Sequence, residues 1–216
     1  MPYKSTALLL AAFWGSSLPS PSALPKSVPV TLDIADVAAA PAPGQKSQAI
    51  TEKNWRQHPK IVAIRKIVSA VDAGLKQGSL KISQRKFECG IGPLLRRIAR
   101  NAKGVATWYE DYGYGESGDA SEDDRYYYDH SGHLRFVLII IYAVNGTRQQ
   151  LRAYFDESGK LLKQTHRLVK GPGYFYPTNV EERVKQDPAR EFASDAEEGC
   201  KEIKPRPRRQ QSNKRS

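Results

Sequence analysis

The chain changes rhythm at Leu80. Before it, Ile61, Ile64, Val68, Val71 and Leu75 recur at three- and four-residue intervals, with Ile67 beside them and Arg65, Lys66, Asp72 and Lys76 off the stripe. That period marks the apolar face of an amphipathic helix. Pro59 suits its first turn and Gly78 its end. Proline lacks only a donor that the first turn leaves unused, and glycine accepts the left-handed conformation that closes many helices. After Leu80 the apolar runs shorten, gain Tyr, Ile and Val, and are divided by glycine-bearing turns, which is the pattern of antiparallel strands.

Three turns carry this reading. Asp129–Gly132 and Asp156–Gly159 are copies of Asp-x-x-Gly, and Asn145-Gly146 lies between them. In an Asp-x-x-Gly turn the carboxylate accepts backbone N–H groups just downstream, and the glycine takes the left-handed place of a bulged type I turn. Asn-Gly reads as a two-residue type I′ turn. The register follows. Val144 faces Thr147, Ile140 faces Leu151, Leu138 faces Ala153, Phe136 faces Phe155 and Arg135 faces Asp156; across the first turn Tyr128 faces Leu134 and Tyr126 faces Phe136. The even side of this central strand then meets the helix. Its odd side, Val137, Ile139 and Ile141, meets Tyr127, Tyr154, Arg152 and Gln150. Tyrosines around an apolar centre form a typical recognition patch. Tyr127, Val137, Ile139, Arg152 and Tyr154 are therefore the candidate binding surface, with ordinary cross-strand packing under a cover as the competing reading.

A weaker copy of the turn lies at Asn101-Ala102-Lys103-Gly104. Gly132 follows Gly104 by 28 residues and Gly159 follows Gly132 by 27, the spacing of a hairpin-sized internal repeat; the alternative is a helix over Leu94–Ala102. The string Tyr126-Tyr127-Tyr128-Asp129-His130-Ser131-Gly132-His133-Leu134 resembles the turns of YD-repeat β-hairpins. The resemblance covers the turns only, lacks the long tandem array of such proteins, and implies hairpins without carrying a function.

Leu80–Cys89 reads as a further strand, broken by Gly90 and Gly92-Pro93. Tyr112–Asp124 combines glycines and acids with no base and reads as a loop. Pro172–Pro177 closes the sheet, and Asn179 caps a short helix through Val184. The expected fold is α+β: an N-terminal amphipathic helix packed on an antiparallel up-and-down β-meander of five to seven strands, with disordered termini.

Composition refines this picture. The 216 residues, 39% hydrophobic and 26% charged, suffice for one ordinary domain with tails. Lys4, the apolar run Ala7–Leu18 and the small residues and prolines after it have the layout of a secretory signal peptide over residues 1–23. That run is shorter than the roughly 20 residues a spanning helix needs, so no transmembrane segment is expected in the mature chain. Residues 24–50 form an Ala/Pro-rich linker, 51–200 the helix and meander, and 201–216 a basic tail. The tail holds seven of the Lys and Arg residues against one Glu, in a chain of formal charge +11. Cys89 and Cys200 are the only cysteines. The signal-peptide layout assigns the protein to the periplasm or the medium, and in an exported chain the two are expected to form a disulfide.

Reaction chemistry is harder to find. Gly-x-Ser-x-Gly, P-loop and His-Glu-x-x-His patterns are absent, and Gly113–Gly118 has no basic residue after it to hold a phosphate. His130 and His133, with Asp129 adjacent, lack a further well-spaced metal ligand, and the acidic stretch lacks an EF-hand pattern. No catalytic, cofactor or metal residue is nominated. The leading reading is a non-catalytic binding or inhibitory module using the aromatic sheet face. The alternatives are an envelope-associated structural protein held by its basic tail and a hydrolase whose site is dispersed in sequence. The expected partner is a protein or an anionic envelope polymer. Nucleic acid is disfavoured because the tail lacks interleaved aromatics for base stacking.

Overall fold

The computed structural model describes residues 48–115, 118–172, 176, 178–196 and 198–204. The expected signal peptide, the linker up to residue 47 and the tail from residue 205 lie outside the described residues. Helix α1 spans Pro59–Gln77, as its stripe predicts. His58 caps it by accepting from Lys60 N–H, and Gly78 closes it at φ 71°. Ile61 and Ile64 are fully buried on its apolar side, worth about 1.5–3 kcal/mol each.

Seven strands follow in a plain meander: β1 (Lys81–Cys89), β2 (Gly92–Arg100), β3 (Ala106–Tyr114), β4 (Ala120–Tyr128), β5 (Leu134–Ala143), β6 (Arg148–Phe155) and β7 (Leu161–Lys170). A two-residue strand β8 (Lys201–Glu202) pairs with β1, giving the sheet order β7-β6-β5-β4-β3-β2-β1-β8. The sheet thus has eight strands rather than five to seven. β8 falls within the residues read as tail.

The repeated turns form as their residues dictate. Asp129 Oδ1 accepts from Ser131 and His133 N–H at 2.9 and 3.0 Å, and Asp156 Oδ1 accepts from Ser158 and Lys160 N–H at 3.0 Å each. Asn101 repeats the arrangement with Lys103 and Val105 N–H, both at 3.0 Å. The helical alternative for Leu94–Ala102 is therefore replaced by β2 and a turn. Gly104, Gly132 and Gly159 sit at φ 81°, 88° and 81°.

The register departs from expectation by one residue. Ile139, not Ile140, faces Leu151, and Phe136 faces Tyr154. The cause is the Asn145-Gly146 turn. Ala143 N–H donates to Thr147 C=O and Gly146 N–H to Ala143 C=O, so three residues make the turn. No non-glycine residue among those described has positive φ, which rules out the type I′ form. On the other side Tyr128 does face Leu134. A bulge between Tyr127 and Tyr128 then sets Tyr127 against Phe136 and Tyr126 against Val137.

This register builds two cores. Ala99, Trp108, Tyr127, Phe136 and Tyr154 stand side by side across five strands and form the seat of α1. The Tyr127 and Phe136 rings lie 5.5 Å apart and Phe136 and Tyr154 4.9 Å apart, and Tyr127 OH donates to Asp72 of α1 at 3.1 Å. The opposite face carries Tyr109, Tyr126, Tyr128, Val137 and Ile139. A C-terminal strap covers it with Tyr176, Val180, Val184 and Phe192. Tyr128 OH donates to Lys185 C=O at 2.6 Å, and the Gln149 amide bonds both the N–H and the C=O of Tyr176. Asn179 accepts from Glu181 N–H at 3.1 Å but opens a single 3-10 turn, Glu181–Arg183, in place of the expected short helix. A second helix, α2 (Pro188–Ala193), starts at the Asp187 cap. The expected disulfide joins Cys89 to Cys200, with Cα atoms 4.2 Å apart. It fastens the far end of the strap to the sheet edge. Closing a loop of this length contributes about 4–5 kcal/mol in the chain-entropy model.

Candidate functional site

Charge is distributed unevenly across the sheet. β3 and β4 carry five carboxylates: Glu110, Asp111, Glu122, Asp123 and Asp124. Each meets an arginine. On the helix face Glu110 is bound by Arg97 and lies 3.5 Å from Arg125, which also grips Asp123 at 2.9 and 2.6 Å. On the strap face Arg183 contacts Glu122 and lies 3.2 Å from Asp124. Arg96 Nε lies 3.7 Å from Asp111, while its Nη1 donates to the Glu191 and Ser194 carbonyls of the strap at 3.2 and 2.9 Å. The expected loop at Tyr112–Asp124 is corrected by this arrangement. β3 continues to Tyr114 and β4 begins at Ala120, because Arg125 of β4 and Arg183 of the strap neutralise Glu122, Asp123 and Asp124, acids that would otherwise keep the segment in solvent.

Asp111 and Asp124 face each other on the strap side. Burial pushes the Asp124 carboxyl up to about 7, against the opposing pull of Arg183, with Glu122 and Asp111 adding to the rise. Burial raises Asp111 too. Tyr109 and Tyr126 donate to these two carboxylates at 3.3 Å each, and burial lifts both phenols. A proton on Asp124 removes a buried charge at the expense of its ion pair with Arg183. This cluster fastens the strap to the sheet.

β5, β6 and β7 contain no carboxylate at all. On the helix face the pairings place Tyr142, Arg148 and Lys170 in one row, Gln150 and Arg167 in the next, and Arg152 in the next. Arg152, Arg167 and Lys170 are exposed. Tyr142 is 37% exposed beneath the Arg148 guanidinium, 5.2 Å from the ring centre. Arg135 is paired with Asp129 and Lys163 with Glu52. Among the described residues no carboxylate lies within ion-pair reach of Arg148, Arg152, Arg167 or Lys170. The surface is cationic, and aromatic at one corner. Guanidinium groups on such a face match carboxylate, phosphate or sulfate oxygens in bidentate geometry.

The five residues expected to form a binding surface divide between the faces. Tyr127, Arg152 and Tyr154 are on the helix side; Val137 and Ile139 are on the strap side. Tyr127, Val137, Ile139 and Tyr154 are buried, and Arg152 alone is exposed. The one-residue register shift turns Tyr154, and the bulge at Tyr127–Tyr128 turns Tyr127, into the seat of α1, while the strap covers Val137 and Ile139. Arg148, Arg167 and Lys170 were not singled out from the sequence. The signal was present, since no acid occurs between Glu157 and Glu181 while Lys160, Lys163, Arg167 and Lys170 do.

At the opposite end of the strands a cleft of about 140 Å³ lies between two hairpin tips, lined by Gly132, His133, Leu134, Glu157, Ser158 and Gln186. His133 Nδ1 is 3.6 Å from Asp129, whose other oxygen serves the turn. Among the described residues no group of three or more His, Cys, Asp or Glu is placed to hold a metal. No helix there is long and apolar enough to cross a membrane.

No family model matches the chain, and neither a curated protein nor a solved structure is similar to it.

Proposed function

We propose that the protein is an exported, non-catalytic binding module that holds an anionic partner on the basic face of β5–β7. The observation that supports this reading is the contrast in charge compensation. Every carboxylate of β3 and β4 has an arginine partner, whereas Arg152, Arg167 and Lys170 face solvent with no described carboxylate in reach. Evolution of a merely soluble surface would mix both signs; a one-signed, acid-free face steers and retains anions. The Cys89–Cys200 bond supports export, since structural disulfides persist in oxidising compartments.

The test is binding of dextran sulfate and of poly-glutamate to the full chain and to a chain ending at residue 204, titrated with salt. The expected result is salt-dependent binding retained in the shortened chain. Binding that vanishes with residues 205–216 would move the function to the tail. N-terminal sequencing of the mature protein from its native compartment tests export, with a start near residue 24 expected.

A further inference from the structure

Among the described residues β7 pairs with β6 alone and forms one border of the sheet. After Lys170 the backbone turns at Gly171, φ 109°, close against Thr147. Tyr176 is then bound by Gln149 on the strap face. The opposite border is partly closed: Ile203 N–H donates to Lys86 C=O at 2.8 Å, and Arg85 is tied to Glu202 and to strap carbonyls. An edge strand of ten residues turns alternate N–H and C=O groups outward. Along β7, Lys163, Thr165 and Arg167 alternate toward the helix face and Gln164, His166 and Leu168 toward the strap face.

From this edge we infer that an acidic, extended segment of a partner protein adds to β7 as a ninth strand. The inference rests on the binding-module reading and specifies its partner. Backbone pairing supplies the affinity, as in other strand additions. Charge selects the occupant: carboxylates at alternate positions of the incoming strand run along the face of Arg167, with Lys170 on the same face beyond the irregularity that leaves Val169 as an extra residue, and an apolar residue on its other side lies beside Leu168. A second copy of this chain is a poor occupant. Pairing β7 with β7 brings the same unpaired cations together, and like charges opposite each other destabilise a sheet.

The probe is a fluorescein-labelled ten-residue peptide of alternating Glu and Val, followed by anisotropy with the full-length chain. Two further versions carry backbone N-methyl groups, on the Glu positions or on the Val positions, so that each blocks one edge of the extended peptide. Strand addition predicts a loss of at least tenfold for one version and less than twofold for the other, and a loss of at least tenfold for the parent peptide with Arg167→Glu plus Lys170→Glu. Equal binding of all three peptides overturns strand addition; if dextran sulfate still binds with salt dependence, the basic-face reading survives it. A parent peptide that does not bind while dextran sulfate does also overturns strand addition. No binding of peptide or dextran sulfate overturns both.

Discussion

β3–β4 and β6–β7 are hairpins of the same meander on either side of β5, yet they handle charge in opposite ways. The first is acid-rich and buried, and each of its carboxylates is matched by an arginine from β2, from β4 itself or from the strap. The strands of the second have no acid, and Arg152, Arg167 and Lys170 face outward. Charge in the first hairpin is structural. Removing one partner there strands a buried ion, which is costly. Charge in the second contributes little to folding, because exposed charges interact weakly through water, and it is available to a ligand.

The contrast can be broken from the structural side first. Cys89→Ser with Cys200→Ser frees the strap from the sheet edge. The expected loss is about 4–5 kcal/mol by chemical denaturation, with binding of anionic polymer by the remaining folded fraction unchanged. Next in size is the pH dependence of stability. The folded Asp124 carboxyl titrates at about 7, above its value of about 3.9 when unfolded. The folded state therefore binds this proton more tightly. The contribution is fully present below about pH 4 and is lost as pH rises through 7. Asp111 acts in the same direction. Stability should fall between pH 5 and pH 8 by on the order of 2–4 kcal/mol, and Asp124→Asn should flatten that fall. Asp129 and Asp156 have the opposite sign. Their carboxyls are lowered, Asp129 by the turn N–H groups and Arg135 overcoming its burial, and Asp156 chiefly by the Ser158 hydroxyl. Their contribution is lost as pH falls below about 4, so the protein should be most stable between these limits.

Smaller effects separate turn from surface. Gly159→Ala, at φ 81°, should cost about 1–2 kcal/mol. Gly90→Ala, with no positive φ and nothing within 4 Å of the added methyl, should cost far less. Urea denaturation of the two variants side by side checks this. Smallest of all, Arg152→Glu with Arg167→Glu should leave stability within about 0.5 kcal/mol.

Much of this architecture was legible in the residues. Pro59, the stripe from Ile61 to Leu75 and Gly78 marked α1, and Asp-x-x-Gly marked the hairpins, because backbone geometry at those positions depends on local chemistry. The weaker Asn101–Gly104 copy carried the same information. Register was not legible, since Asn145-Gly146 supports turns of two or three residues and the bulge at Tyr127–Tyr128 has no sequence mark. The choice between those forms decided which tyrosines met the helix. Glu122, Asp123 and Asp124 read as loop because, Arg125 apart, their partner is Arg183 of the strap, 59 residues beyond Asp124. The strap itself left only the faint signs of Asn179 and Pro188. For the candidate site, Arg152 was identified for the wrong surroundings; its neighbours Arg167 and Lys170 became visible once β6 and β7 were paired.

The most direct test compares two charge reversals for both folding and binding: Arg125→Glu within the buried ladder, and Arg152→Glu with Arg167→Glu on the basic face. The account predicts that the first lowers the melting temperature, while the second leaves it in place and weakens salt-dependent dextran sulfate binding at least tenfold. Wild-type affinity in the Arg152→Glu, Arg167→Glu protein, at unchanged melting temperature, would contradict it.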